Sequence, residues 1–218
     1  MADEVNVERG TLFYDRHYAD GGWNYSFRKE YRWHKREVMK RFGLRRGAQM
    51  LEVACGNGFH TDVFNRMGFD CIGIDRSEVG IAKARDLFPK WTYHCCDLTE
   101  MPFDREEFDV IVARGCSHYH YDLMSDIALE TTETLAKLLR PGGVFIMIIV
   151  TDLSGRRGPD KIWHIVLYDY RRHFSSRGRR WSVDWAEGTA ICGLYHEPIE
   201  KGPTGIVSQD QAVIPVSC

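Results

Sequence analysis

The 218-residue sequence predicts an α/β fold: a mostly parallel sheet with helices on both faces and an antiparallel hairpin at its C-terminal end. Three patterns predict it. Met50 to Asp75 reads as strand, glycine loop, helix, strand. Short apolar runs then alternate with helical segments as far as Val150, the rhythm of a parallel sheet. Finally, Trp181-Ser182-Val183-Asp184-Trp185 alternates polar and apolar residues, Glu187-Gly188 can turn, and Thr189 to Tyr195 can return as a paired strand.

The elements follow in order. The first ten residues are expected to be mobile. Thr11 to Ser26 is rich in aromatics and glycine and is expected to form a lid over the domain. Tyr14, Tyr18 and Trp23 are its candidates for contact with bound substrate. Phe27 to Leu44 reads as a helix, because Tyr31, Val38, Met39 and Phe42 recur at helical spacing and Gly43 can end it. His34 reads there as an ordinary surface or packing histidine. Met50 to Ala54 is the first strand, Thr61 to Met67 a helix, and Cys71 to Asp75 the second strand. Ser77 to Leu87 is the next helix, with Ser77 as N-cap and Pro89 beyond its end. Trp91 to Cys96 and Phe108 to Ala113 are further strands. Asp122 to Arg140 is a long helix stopped by Pro141-Gly142-Gly143, which turns the chain into Phe145 to Val150, a strand buried on both faces. Thr151 to Lys161 is a loop, and Ile162 to Ser176 another helix.

Composition narrows the class. The length suits one domain with a proper core, and a hydrophobic fraction of 44% is ordinary for a globular protein. No run approaches the roughly 20 apolar residues that cross a bilayer. The acidic start, Met1-Ala2-Asp3-Glu4-Val5, lacks a signal pattern. Seven cysteines, most in or beside expected strands and none in a C-x-x-C pair, suggest reduced thiols in a cytoplasmic setting and no structural zinc. A net charge of −2 argues against a general nucleic-acid binder.

The loop Ala54-Cys55-Gly56-Asn57-Gly58 carries the chemistry. Glycine lets a ligand approach the backbone, because no Cβ intrudes. The following helix aims its N–H groups at that ligand. Asp75, roughly 20 positions on at the tip of the next strand, is placed to bind ribose hydroxyls. A nucleotide-type cofactor site results. A dinucleotide-binding dehydrogenase competes for this loop, but its fingerprint wants a third small residue where this chain has Thr61.

Leu51-Glu52-Val53-Ala54-Cys55-Gly56-Asn57-Gly58 resembles the first motif of class I S-adenosylmethionine (AdoMet) methyltransferases, with Ala54 at the first glycine position. Asp75 matches the family's ribose-binding acid, and Cys96-Asp97-Leu98 the spot that holds the adenine amine. Phe108 to Val112 matches its fourth strand, and Leu138-Leu139-Arg140-Pro141-Gly142-Gly143-Val144-Phe145 its turn into the fifth. The resemblance covers about Gln49 to Asp152. It implies a Rossmann-like, seven-stranded methyltransferase domain over residues 45–198, preceded by a lid and helix in 1–44 and followed by a tail in 199–218. It implies AdoMet as cofactor and S-adenosyl-L-homocysteine as product. The implied cofactor residues are Glu52, Ala54, Cys55, Gly56, Asn57, Gly58, Asp75, Arg76, Asp97, Leu98, Arg114 and Cys116. The lid aromatics can then face the sulfonium cation.

By analogy with the family, the loop after the fourth strand, Arg114 to Tyr121, lies near the transferring methyl group. A hydroxyl nucleophile must lose its proton as the new bond forms, a task suited to histidine. His118 or His120 is nominated as base, with Asp152 as a further candidate or orienting partner, and Ser117, Tyr119 and Tyr121 as pocket walls. The same histidines can equally serve as loop hydrogen-bonders. His118-x-His120 lacks partners at ligand spacing, so no metal is expected. The expected activity is O-methylation of a small or carbohydrate acceptor, a sugar hydroxyl of a glycan or nucleotide sugar in the leading reading. The alternatives are an RNA methyltransferase using the arginine-rich segment 156–180, and an AdoMet-binding partner protein without catalysis. The sequence leaves the oligomeric state open.

Overall fold

The computed structural model describes residues 12–120, 122–151, 165–175 and 179–196. A seven-stranded sheet runs through it in the order β3-β2-β1-β4-β5-β7-β6. The strands are β1 (Gln49–Val53), β2 (Asp70–Asp75), β3 (Thr92–Cys95), β4 (Phe108–Arg114), β5 (Leu139–Val150), β6 (Trp181–Ala186) and β7 (Thr189–Tyr195). The pairings of β1 with β2 and β4, of β2 with β3 and of β4 with β5 are parallel. β7 is antiparallel to both β5 and β6. This is the Rossmann-like sheet the sequence predicts, closed by the expected hairpin about Glu187-Gly188.

Six helices accompany the sheet among the described residues: α1 (residues 12–19), α2 (Phe27–His34), α3 (Phe59–Met67), α4 (Glu78–Leu87), α5 (Asp126–Leu138) and α6 (Leu167–Ser175). Strand alternation sends neighbouring side chains to opposite faces. Leu51, Val53, Ile111, Ala113, Phe145 and Met147 share one core with residues of α5 and α6. Met50, Val110, Val112, Ile146 and Ile148 share another with Val63, Phe64 and Met67 of α3. Both faces are therefore covered, as a parallel sheet requires.

Several boundaries differ from the sequence reading, most at α5 and β5. The helix expected over Asp122 to Arg140 begins at Asp126, where Ser125 caps it by accepting from Ala128 N, and ends at Leu138. Strand β5 then starts at Leu139, before the Pro-Gly-Gly turn. Arg140 to Gly143 is absorbed as a bulge, with register shifting so that Phe108 faces Leu139 while Val110 faces Val144. The N-terminal helix is also less regular than its periodicity suggests. After His34 it widens into a π-helical stretch, Lys35–Lys40, and Gly43 leaves it at φ +62°. That stretch buries Val38 in the α3-side core.

Candidate active site

The parallel strands end on one edge, which brings the tips of β1, β2 and β4 together. Leaving β1, the chain turns sharply: Ala54, Gly56 and Gly58 all take positive φ, at 59°, 54° and 77°. Gly58 donates to Cys55 O at 3.0 Å, closing the turn, and α3 starts at the next residue. A Cβ on Gly58 would come within 2.8 Å of Ala84 and Tyr93, so only glycine fits there. Asp75 braces the loop from β2: one carboxylate oxygen accepts from Gly56 N and the other from Ser77 N, each at 2.8 Å. Burial pushes its carboxyl up from the usual range, and these two amides pull it back. Each oxygen keeps lone-pair capacity for a ribose hydroxyl.

Glu52 stands below the loop. It is 2% exposed, accepts a hydrogen bond from the Thr61 hydroxyl of α3, and is pushed up to about 8 by burial. Cys55 and Asn57 complete the turn; Cys55 is buried and Cys55 N donates to Ile74 O at 2.9 Å. Arg76 and Leu98 are half-buried. Asp97 accepts from both the amide and the hydroxyl of Thr99, at 3.0 and 2.9 Å, and these bonds hold its carboxyl down against the opposing effect of burial.

Helix α1 lies over this loop. Tyr18, 6% exposed, sets its ring between Gly56 and Gly80, so a Cβ on Gly56 would collide with its hydroxyl. The Ser77 hydroxyl donates to Asp15, and Lys83 donates to the carbonyls of Tyr18 and Ala19. Tyr14 packs edge-on against Phe13. Trp23 is 54% exposed and leans on His17, with ring centroids 4.4 Å apart. Of the three lid aromatics nominated for substrate, Tyr18 is therefore the one seated on the glycine turn.

After β4 the chain makes a single 3-10 turn, Ser117–Tyr119. Cys116 is buried and its thiol is pushed up to about 12, which keeps it a neutral thiol. Ser117 is half-buried. His118 shares a hydrogen bond with the Thr131 hydroxyl at 2.8 Å. Burial lowers its pKa, Arg76 lowers it further and Asp97 opposes. His120 is 8% exposed and burial pushes it down to about 4. Tyr119 does not wall a pocket: its ring is fully buried against Phe145 and His173, and its hydroxyl meets Thr132 at 3.0 Å. Aromatic bulk on the inward side of a turn goes to the core first. Tyr121 and Asp152 lie outside the described residues, as do Arg156, Arg157, Lys161 and Arg177.

Arg114, expected among the cofactor residues in the loop after the fourth strand, engages helix α2. Its guanidinium is 3.2 Å from a Glu30 oxygen and lies over the Tyr25 ring at 5.2 Å. The same Glu30 oxygen is 3.1 Å from His60 Nε2, and His34 stands beside both. Sequence reading missed this group. The one signal available was Glu30-x-x-x-His34, which puts both side chains on one helix face.

Sheet order and glycine turn together resemble those of a class I AdoMet-dependent methyltransferase domain. Residues 51–147 match the family described as a methyltransferase domain, whose methyl donor is S-adenosylmethionine. The chain is 28% identical over 121 residues to a probable S-adenosylmethionine-dependent methyltransferase of Mycolicibacterium smegmatis, covering 54% of this chain and 45% of that one. It is 30% identical over 105 residues to a ubiquinone biosynthesis O-methyltransferase of a Bradyrhizobium strain, covering 46% and 39%. The chain thus spans less than half the length of these curated relatives. In fold it is similar to a chain of the structure titled "Complex between the Haloferax volcanii Trm112 methyltransferase activator and the putative methyltransferase", at a TM-score of 0.62, 16% identity, and coverage of 84% and 97%.

Proposed function

We propose that this chain is a working methyltransferase that moves the methyl group of AdoMet to a hydroxyl of a small acceptor, a sugar hydroxyl of a glycan or nucleotide sugar being the leading case. The observation that carries it is the brace of Asp75 across Gly56 N and Ser77 N. It fixes a carboxylate beside a glycine turn at the strand tips, where such sheets take ligands. AdoMet supplies an activated methyl on a sulfonium. The chain's task is to align the acceptor in line with it, exclude water and remove the acceptor proton.

His118 is the base in this reading. Its ring is held by Thr131, and burial keeps it neutral at physiological pH, the form that can accept a proton. His120 is the second candidate, more deeply buried. α1, with Tyr18 over the loop, supplies the cover. Titration calorimetry on the wild type should show one site each for AdoMet and S-adenosylhomocysteine, and Asp75→Ala should lose both. A wild-type chain that binds neither overturns the reading. His118→Ala should keep cofactor binding while turnover on a panel of hydroxyl acceptors falls by about 10²-fold or more. Full activity in both His118→Ala and His120→Ala removes the base assignment.

The RNA reading draws less support. Arg172 and Arg180 of the basic segment lie over the rings of Tyr168 and Tyr195, at 5.7 and 3.7 Å, a packing use of their guanidinium groups. Steep salt dependence of acceptor binding would restore it.

A further inference from the structure

We propose that Glu30, His34 and His60 form a three-ligand site for a first-row divalent cation of the zinc type. The residues come from two helices. Glu30 and His34 are one turn apart on α2, and His60 is in the first turn of α3. One ligand-type atom from each lies within 4.8 Å of the others. Two metal bonds of 2.0–2.1 Å at the tetrahedral angle would set their ligand atoms about 3.3 Å apart. The Glu30 Oε2 to His60 Nε2 separation is 3.1 Å, so this pair already has close to that span.

The hydrogen bonding prepares His34. Its Nδ1 is 2.9 Å from the Glu30 carbonyl, an acceptor only, so Nδ1 carries the proton and donates. Nε2 is then the lone-pair nitrogen, and it is buried without a hydrogen-bond partner. A buried acceptor left unmatched costs stability unless something fills its need. An imidazole whose second nitrogen is tied to a backbone carbonyl is the usual arrangement of a metal-ligating histidine. Burial also keeps both rings neutral, as ligation requires. Two imidazoles with one carboxylate suit zinc, cobalt or nickel better than magnesium or calcium, which prefer oxygen. Three protein ligands leave a fourth position open.

Glu30 also lines a cleft of about 390 Å³ with Trp33, Arg36, Arg114, Glu187 and Thr189, among others. Arg114 now pairs with the same Glu30 oxygen, so it competes with the cation and must share or release that carboxylate. The π-helical widening begins at the residue after His34, a feature often found at functional sites. This proposal replaces the expectation of no metal, which took His34 as an ordinary surface or packing histidine and considered paired histidines only at His118 and His120. It stands independently of the acceptor assignment.

The test uses the full chain stripped with chelator, then titrated with ZnCl2 or CoCl2. Wild type should take up one equivalent, and its cobalt form should show tetrahedral d–d bands without thiolate charge-transfer absorption. His34→Ala and His60→Ala should each weaken uptake at least tenfold, His118→Ala should leave it unchanged, and Arg114→Gln should bind at least as tightly. Should the histidine variants fail to fold, Glu30→Gln, which keeps the side chain's shape, carries the same expectation. No uptake by wild type, unchanged stoichiometry in the cluster variants, or a thiolate signature in the cobalt spectrum overturns the site.

Discussion

At the scale of single residues, Glu52 makes stability depend on pH. Its carboxyl is lifted to about 8 by burial, from an ordinary value of 4.5. Between those values the folded chain holds a proton that the unfolded chain has released. Stability is therefore greatest below about pH 4.5 for this group and falls as pH rises through the window to about 8. Glu52→Gln should flatten that slope, matching wild type in urea midpoint at pH 5 and exceeding it at pH 9. An unchanged slope would show that Glu52 titrates as an exposed acid does. Ala54 offers the second test. It sits at φ 59°, where an L-residue is strained by roughly 1–2 kcal/mol. Glycine removes that strain but loosens the unfolded chain by about 0.4–1 kcal/mol. Ala54→Gly should thus raise stability by up to about 1.6 kcal/mol, read as a shift in denaturant midpoint at constant m-value.

At the scale of elements, Ser77 ties two helices to the cofactor loop. Its hydroxyl oxygen accepts from Gly80 N at 2.9 Å, capping α4, and donates to Asp15 of α1. Ser77→Ala should cost about 1 kcal/mol through the lost cap. It should also free α1, so amide exchange over residues 12–19 should quicken more than exchange over α4. Equal change in both helices would mean that Asp15 adds nothing to holding the lid. The sequence disclosed half of this: the capping role of Ser77 is a local pattern, whereas its bond to a residue 62 positions away is not.

At the scale of the whole molecule, the N-terminal helix and the C-terminal hairpin lean on each other. Arg41 pairs with Asp184 of β6 at 3.0 Å, and Arg36 with Glu187 of the hairpin turn at 2.6 Å. These pairs are partly exposed, so each adds little. The packing matters more: a Cβ on Gly193 of β7 would press into the Phe42 ring. Gly193→Val should destabilise the fold by about 1–3 kcal/mol through overpacking. A wild-type midpoint in that variant would show the helix docked too loosely to notice.

The sequence by itself determined the glycine turn, the partner carboxylate of Asp75, the alternation of strands and helices and the final hairpin. All of these are written in turn chemistry and in hydrophobic periods that act over a few residues. Only the tertiary structure decided that Tyr119 is core, that Arg114 faces the N-terminal helix, and that Glu30, His34 and His60 meet. Those outcomes depend on how α2 packs beside α3 and on which side chains win the space between layers, and no local pattern encodes the distance between residues thirty positions apart.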